Sequence, residues 1–246
     1  MELLGTHESA FGNARRDDRK EFAELMINHG ATEFDSGLYD ACFDGQKELA
    51  ELMIARGATD FNGGLYNACL GGQKDMVELM CDYGATNFNG GLRTACERGH
   101  KEIVELLINR GATDFNSGLC SACYGGQKDI VELMISRGAN NFNVGLYCAC
   151  EHNNKELVDL MISHGATDFD WGLDGACKGN HMEMVDFMIK LGATKLTCGI
   201  CGACRGGHIG MAKFMISLGA AVSAGCYRCS YSDVCGDFIK ANQLIF

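Results

Sequence analysis

Gly91-Leu92-Arg93-Thr94-Ala95-Cys96-Glu97-Arg98-Gly99-His100-Lys101-Glu102-Ile103-Val104-Glu105-Leu106-Leu107-Ile108-Asn109-Arg110-Gly111-Ala112 reads as two helices and the punctuation around them. In the first segment Leu92, Ala95 and Cys96 stand at i, i+3 and i+4 and share one helical face. The small Ala and Cys leave room for another helix to come close. Gly99-His100 reads as a turn. In the second segment Ile103, Val104, Leu106, Leu107 and Ile108 cover most of the circumference, leaving Lys101, Glu102, Glu105 and Asn109 for water. A helix this apolar has to be covered from two sides. Gly111 falls just past its end, where a left-handed residue is favoured. Thr113-Asp114-Phe115-Asn116 is then a connector. Phe115 is expected to anchor it in the core, and Asn116 or Ser117 to cap the next short helix.

The same unit is written along the whole chain. Gly-Ala pairs begin at Gly30, Gly57, Gly84, Gly111, Gly138, Gly165, Gly192 and Gly219, a strict 27-residue period. Phe34, Phe61, Phe88, Phe115, Phe142 and Phe169 keep that period, and Leu196 continues it. So do Gly37 to Gly199, and the Ala-Cys pairs from Ala41 to Ala203. A helix pair of this size cannot bury its own apolar face; stacking on a neighbour buries it. The spacing predicts an all-α solenoid of about nine stacked helix-turn-helix repeats. One domain over 1–246 is expected: a cap repeat at about 1–29, seven regular repeats over 30–219, and a second cap at 220–246. In the first unit Phe11 and Ala14 keep the register, while Arg15, Arg16, Asp17, Asp18 and Arg19 give it the charged face of a terminal repeat.

Arg98 to Ala112 resembles the second half of an ankyrin repeat, and the Gly-Leu-x-x-Ala-Cys stretch resembles the first ankyrin helix. The likeness runs from about residue 8 to residue 243. It departs in length, because an ankyrin unit has about 33 residues. The six missing residues fall between the Asn116-like and Leu119-like positions, where the family carries a β-turn finger and a Thr-Pro helix start. The resemblance therefore implies ankyrin-like repeats without β-hairpin fingers. Short arrays of this type resemble those of large DNA viruses of amoebae and of some protists. The family's usual role implies a non-catalytic protein-interaction scaffold, with a partner protein bound on the concave surface lined by the short first helices.

Composition narrows the classes further. The 246 residues carry a net charge of −11 and include 15 Cys, 33 Gly and no Pro. An acidic balance disfavours nucleic acid and anionic lipid, which need clustered Lys and Arg. No apolar run reaches the ~18 to 20 residues of a membrane span. The start, Met1 to Glu8, shows no basic region followed by a long apolar run. A cytoplasmic location is expected, in the host cytoplasm with a host partner if the source is viral. No cofactor is expected, and a monomer is favoured.

Seven cysteines, Cys42 to Cys204 at the 27-residue period, read as small buried hydrophobes, reduced in a cytosolic setting. Cys198, Cys201, Cys226 and Cys229 form two Cys-x-x-Cys pairs with the look of a zinc site. Cys204 is already explained by its repeat slot, so no metal is favoured there. A zinc-stabilised or redox-sensitive protein and a self-associating array remain the alternatives to the scaffold. His100, His181 and His208 share the interhelical turn with Gln46, Gln73 and Gln127, which points to hydrogen bonding. No hydrolase, Walker or dinucleotide-binding motif occurs, so no enzyme is expected.

Specificity then rests on positions that vary between repeats. One slot holds Tyr39, Tyr66, Arg93, Cys120, Tyr147, Asp174 and Cys201. The next holds Asp40, Asn67, Thr94, Ser121, Cys148, Gly175 and Gly202. The slot after the repeated Cys holds Phe43, Leu70, Glu97, Tyr124, Glu151, Lys178 and Arg205, and the slot before the loop Gly includes Trp171. Exposed aromatic and Arg side chains carry interface energy. Tyr39, Phe43, Tyr66, Arg93, Tyr124, Tyr147 and Trp171 are the expected binding stripe.

Overall fold

The computed structural model describes residues 19–221; most of the first cap and residues 222–246 of the second, with Cys226 and Cys229, lie outside them. The chain divides into two compact units, Met1–Asp114 and Phe115–Phe246. In the first, α1 (Arg19–Asn28) precedes three helix pairs: α2 (Phe34–Asp44) with α3 (Lys47–Ala55), α4 (Phe61–Gly71) with α5 (Lys74–Asp82), and α6 (Phe88–Arg98) with α7 (Lys101–Asn109). In the second, four pairs follow: α8 (Phe115–Tyr124) with α9 (Lys128–Ser136), α10 (Phe142–Glu151) with α11 (Lys155–Ser163), α12 (Phe169–Lys178) with α13 (Met182–Leu191), and α14 (Leu196–Arg205) with α15 (Ile209–Ser217). Among the described residues there is no strand. The fold is the expected all-α, ankyrin-like stack of repeats without hairpin fingers. No helix among these residues is long and apolar enough to cross a membrane.

Both helices of a pair bury the residues that their spacing singles out. On α6 these are Leu92, Ala95 and Cys96; on α7 they are Ile103, Val104 and Leu107. Leu106 and Ile108 are half-buried, so the second helix is less completely covered than its apolar count implied. The glycine at the end of the first turn of these first helices has a packing reason. At Gly37, Gly64, Gly145 and Gly172 a Cβ would stand 2.4–2.6 Å from the sulfur of Met53, Met80, Met161 and Met188, on the second helix of the same pair.

The second helix ends as expected. Gly111 has φ +108°. Its N–H donates to Ile108 O, and that of Ala112 to Leu107 O, at 3.0 and 2.9 Å, the paired bonds of a Schellman end. A left-handed residue also follows each first helix in one slot: Gly45, Gly72, Gly99, Gly126 and Gly207, but Asn153 (φ 55°) and Asn180 (φ 61°) in two repeats. Asn is the non-glycine residue that best tolerates this region.

The start of the first helix differs from the expectation. The helix begins at the Phe, about one turn earlier than Leu92 and its fellows suggest. Phe115 is therefore the first helical residue and only half-buried, not a core anchor in a loop. Phe61 and Phe142 lie against the rings of Tyr83 and His164, at 5.5 and 5.4 Å between centroids. In α4, α6 and α12 the cap is the residue before the Phe: Asp60, Asn87 and Asp168 accept from the N–H of Gly63, Gly90 and Trp171.

Asn116, already inside α8, has a different task. Its Oδ1 accepts the N–H groups of Asn140 and Asn141 at 2.9 and 3.0 Å, clipping the connector of the next repeat. The same clip recurs within each unit. Asp35 holds Thr59 and Asp60, Asn62 holds Thr86 and Asn87, and Asn89 holds Thr113 and Asp114. Asn143 holds Thr167 and Asp168, and Asp170 holds Thr194 and Lys195. Burial works against the Asp170 carboxylate, but its two N–H donors hold its pKa below the usual range. At Thr197 the pattern inverts: its hydroxyl donates to Ala221 O at 3.2 Å.

Removing one clip leaves two exposed N–H groups to water, so Asn89→Ala is expected to cost about 0.5–1.5 kcal/mol. Asn89→Asp should stay within about 0.5 kcal/mol, since Asp35 and Asp170 already serve. Urea unfolding of the two variants checks this; equal losses would show that the oxygen contributes nothing.

The core thiols set a pH limit. Burial pushes Cys42, Cys69, Cys96, Cys123, Cys150 and Cys177 up from 9.0 to about 12. The native state keeps these protons where the unfolded chain has lost them. Their stabilisation is therefore complete below pH 9 and is lost as pH rises towards 12. Each thiol contributes a slope of about 1.4 kcal/mol per pH unit. Chemical unfolding at pH 8 to 11 should show a steep fall, with Cys96→Ala shallower by about one thiol; a flat profile would refute it.

Candidate functional site

Two sides of a first helix are spoken for. Its Leu-Ala-Cys face is buried against its partner helix and core. The slot of Thr94, Ser121 and Cys148 is buried too. At Gly175 a Cβ would lie 2.5 Å from Tyr147 O on the preceding first helix, and at Gly202 2.1 Å from Asp174 O. At these members the slot is taken up by packing between neighbouring first helices, where its variability suggested recognition; Asp40 and Asn67 in the same slot are half-buried. Asn67 and Thr94 spend their polar groups on Gly63 O and Gly90 O of their own helices. The remaining edge carries the candidate residues.

In the first unit Phe43 and Tyr66 are 44% and 47% exposed, and Arg93 is exposed. Tyr39 is half-buried. Its ring occupies the space beside Gly63, where a Cβ would meet Cε1 at 2.4 Å. Its hydroxyl donates to the Asp60 carboxylate. That bond, with burial, pushes the phenol up to about 12; the same bond and the Gly63 N–H hold the Asp60 carboxyl below its ordinary range, against the effect of burial. Tyr39 thus ties one repeat to the next.

In the second unit Tyr124 is 46% exposed, with its ring 4.0 Å from that of His152 between centroids. Tyr147, half-buried, meets Trp171, 37% exposed, at 5.6 Å and 36°. Tyr147 thus stands to Trp171 as Tyr39 stands to Gly63, each facing the same slot of the following repeat. Lys178 Nζ sits 5.8 Å from the centre of the Tyr147 ring and 2.6 Å from Glu151 Oε1. Burial depresses the ammonium, but Glu151 outweighs it and the pKa is raised. Arg205 pairs with Asp174, whose carboxyl burial pushes up despite that cation. Burial and Glu151 raise the Tyr147 phenol. An aromatic pair edged by a cation and two half-hidden ion pairs can grip a planar or apolar side chain and orient a charged one. Glu151, Asp174, Lys178 and Arg205 stood outside the expected stripe. The signal for them was the alternation of sign in its variable slots.

The cysteine candidates separate. Cys198 and Cys201 are both half-buried on α14. Burial and the carboxylates of Asp174 and Asp170 push the Cys198 thiol up, which disfavours the thiolate a zinc ion binds. Among the described residues no three His, Cys, Asp or Glu side chains converge as a metal set. The interhelical His and Gln residues stand at the start of the second helices, and three of them, Gln73, Gln127 and His181, bond backbone carbonyls. His181 Nε2–H donates to Glu151 O at 3.0 Å, and Gln127 Nε2 to Gly125 O at 2.9 Å.

Three overlapping matches to the family model "Ankyrin repeats (3 copies)" cover residues 38–118, 65–145 and 92–171, together more than half of the chain. Their starts step by the 27-residue period. Among solved structures the chain is similar to the human ASB11 ankyrin repeat domain, at 23% identity and a TM-score of 0.49, over 64% of this chain and 84% of that one. No curated protein matches the sequence.

The chain contains a single Trp, so its fluorescence reports on the aromatic pair. Tyr147→Ala should shift Trp171 emission to the red and increase acrylamide quenching, with helical circular dichroism retained. An unchanged spectrum would show that the two rings do not pair in solution.

Proposed function

The chain belongs to the ankyrin repeat family, and from that premise we propose that it is a non-catalytic scaffold that binds a partner protein on the face lined by its short first helices. Ankyrin repeats are generally protein–protein interaction modules. One observation carries the reading to a surface. First helices otherwise given over to packing hold Phe43, Tyr66, Tyr124 and Trp171 well exposed, and large aromatics are the side chains that anchor interfaces. The net charge of −11 favours a protein over a nucleic acid or an anionic membrane. The scaffold's recognition residues are proposed to be Tyr39, Phe43, Tyr66, Arg93, Tyr124, Tyr147 and Trp171. Within this set Tyr39 and Tyr147 act chiefly by holding their neighbours in place.

A photo-crosslinking residue at position 66 or 171 should trap the partner, whereas the same residue at Lys101 or Glu132, on second helices, should not. With the partner purified, Tyr66→Ala and Trp171→Ala, each confirmed helical, should weaken binding roughly 10- to 30-fold. Affinity equal to wild type for both variants, or crosslinks only from the second helices, would overturn the assignment of the face.

A further inference from the structure

Cys120 on α8 and Cys148 on α10 bring their sulfurs to 2.8 Å. Their separation in sequence is one repeat plus one residue, so they come from two different slots. Cys120 occupies the outward slot of Tyr39 and Tyr66; Cys148 occupies the buried slot that faces a neighbouring first helix. Other combinations of these slots in the chain are Tyr39 with Asn67, Tyr66 with Thr94, Tyr147 with Gly175 and Asp174 with Gly202. The Cys–Cys combination is therefore no product of the repeat. Cys123 and Cys150 on the same helices belong to the core slot, and Cys150 turns its sulfur to Met188 Sδ at 3.7 Å.

The pair is asymmetric in a useful way. Cys148 is 4% exposed and Cys120 is half-buried. Contact with Cys120, and then burial, push the Cys148 thiol far up. A reagent from solvent therefore meets Cys120 first, and Cys148 lies behind it within bonding reach. The sulfurs have about 0.8 Å to close to reach a disulfide bond of about 2.03–2.05 Å.

We propose that Cys120 and Cys148 are a reversible dithiol–disulfide site, oxidised by a small disulfide such as oxidised glutathione. Cys120 loses its proton to solvent and its thiolate attacks one sulfur of the oxidant, expelling one glutathione thiolate and leaving a mixed disulfide. Cys148 then gives up its proton, and its sulfur attacks that of Cys120, expelling the second glutathione. Two protein thiols are oxidised to one disulfide, and one glutathione disulfide is reduced to two glutathione thiols that take up the released protons. The raised Cys148 thiol makes the closing step slow at neutral pH and faster as pH rises. The product ties α8 to α10, adjacent first helices, and a thiol reductant releases it.

The test uses the full chain, reduced and native, equilibrated with mixtures of oxidised and reduced glutathione, then acid-quenched, alkylated and mapped by non-reducing mass spectrometry. The expected product is about 2 Da lighter and gives one crosslinked peptide pair containing positions 120 and 148, lost on adding dithiothreitol. Cys120→Ser and Cys148→Ser should each abolish it, and Cys198→Ser should not. The wild-type map decides the matter even if Cys148→Ser fails to fold. A stable glutathione adduct on Cys120 without the crosslink, crosslinks scattered over other cysteines, or a 120–148 link that forms only in urea would each overturn the proposal.

Discussion

A single helix pair has more apolar surface than it can hide from water, and this one constraint organises everything else. Leu92, Ala95 and Cys96 leave the solvent only because another pair lies alongside. The demand for close contact explains the small residues: Ala and Cys on the first helix, and Gly where a Met or Leu from the second helix crosses. It also explains why so little of each repeat varies. A larger side chain at most of these places would meet a neighbour's backbone or sulfur.

Packing that is satisfied in this way leaves one edge of each first helix with no structural duty. On that edge the chain changes from repeat to repeat, between Tyr, Arg, Cys and Asp in a single slot. Freedom is not complete even there. Tyr39 is drawn into a bond with Asp60, and Tyr147 is roofed by Trp171 and edged by Lys178. The surface is thus an alternation of side chains held firmly by the next repeat and side chains left standing in water. Such an arrangement suits an interface, because the fixed groups lose little freedom when a partner arrives.

The period, the two helices, the left-handed glycines and the buried thiols could all be read from the residues, because each repeats and each has a local cause. Four features could not. The helix start was misplaced because Phe and Asn look like loop residues until the cap at Asp60 or Asn87 is seen. The role of Asn116 was hidden because its partners belong to the next repeat and are backbone groups, which carry no side-chain signature. The buried slot of Thr94, Ser121 and Cys148 looked like recognition because it varies. What varies there is the size of the side chain set against the preceding first helix, and the sequence alone does not show which way that side chain faces. The nearness of Cys120 and Cys148 escaped for a related reason, since their separation overshoots the repeat by one position and falls outside a search at its period.

The clip made by Asn62, Asn89, Asn116 and Asn143 asks nothing of the side chains it holds. One oxygen grips two peptide N–H groups, and every residue except proline offers those. The clip itself is therefore indifferent to which side chains the incoming connector carries. The absence of proline from the chain is then more than a matter of composition: it leaves a donor N–H at every position that these clips hold.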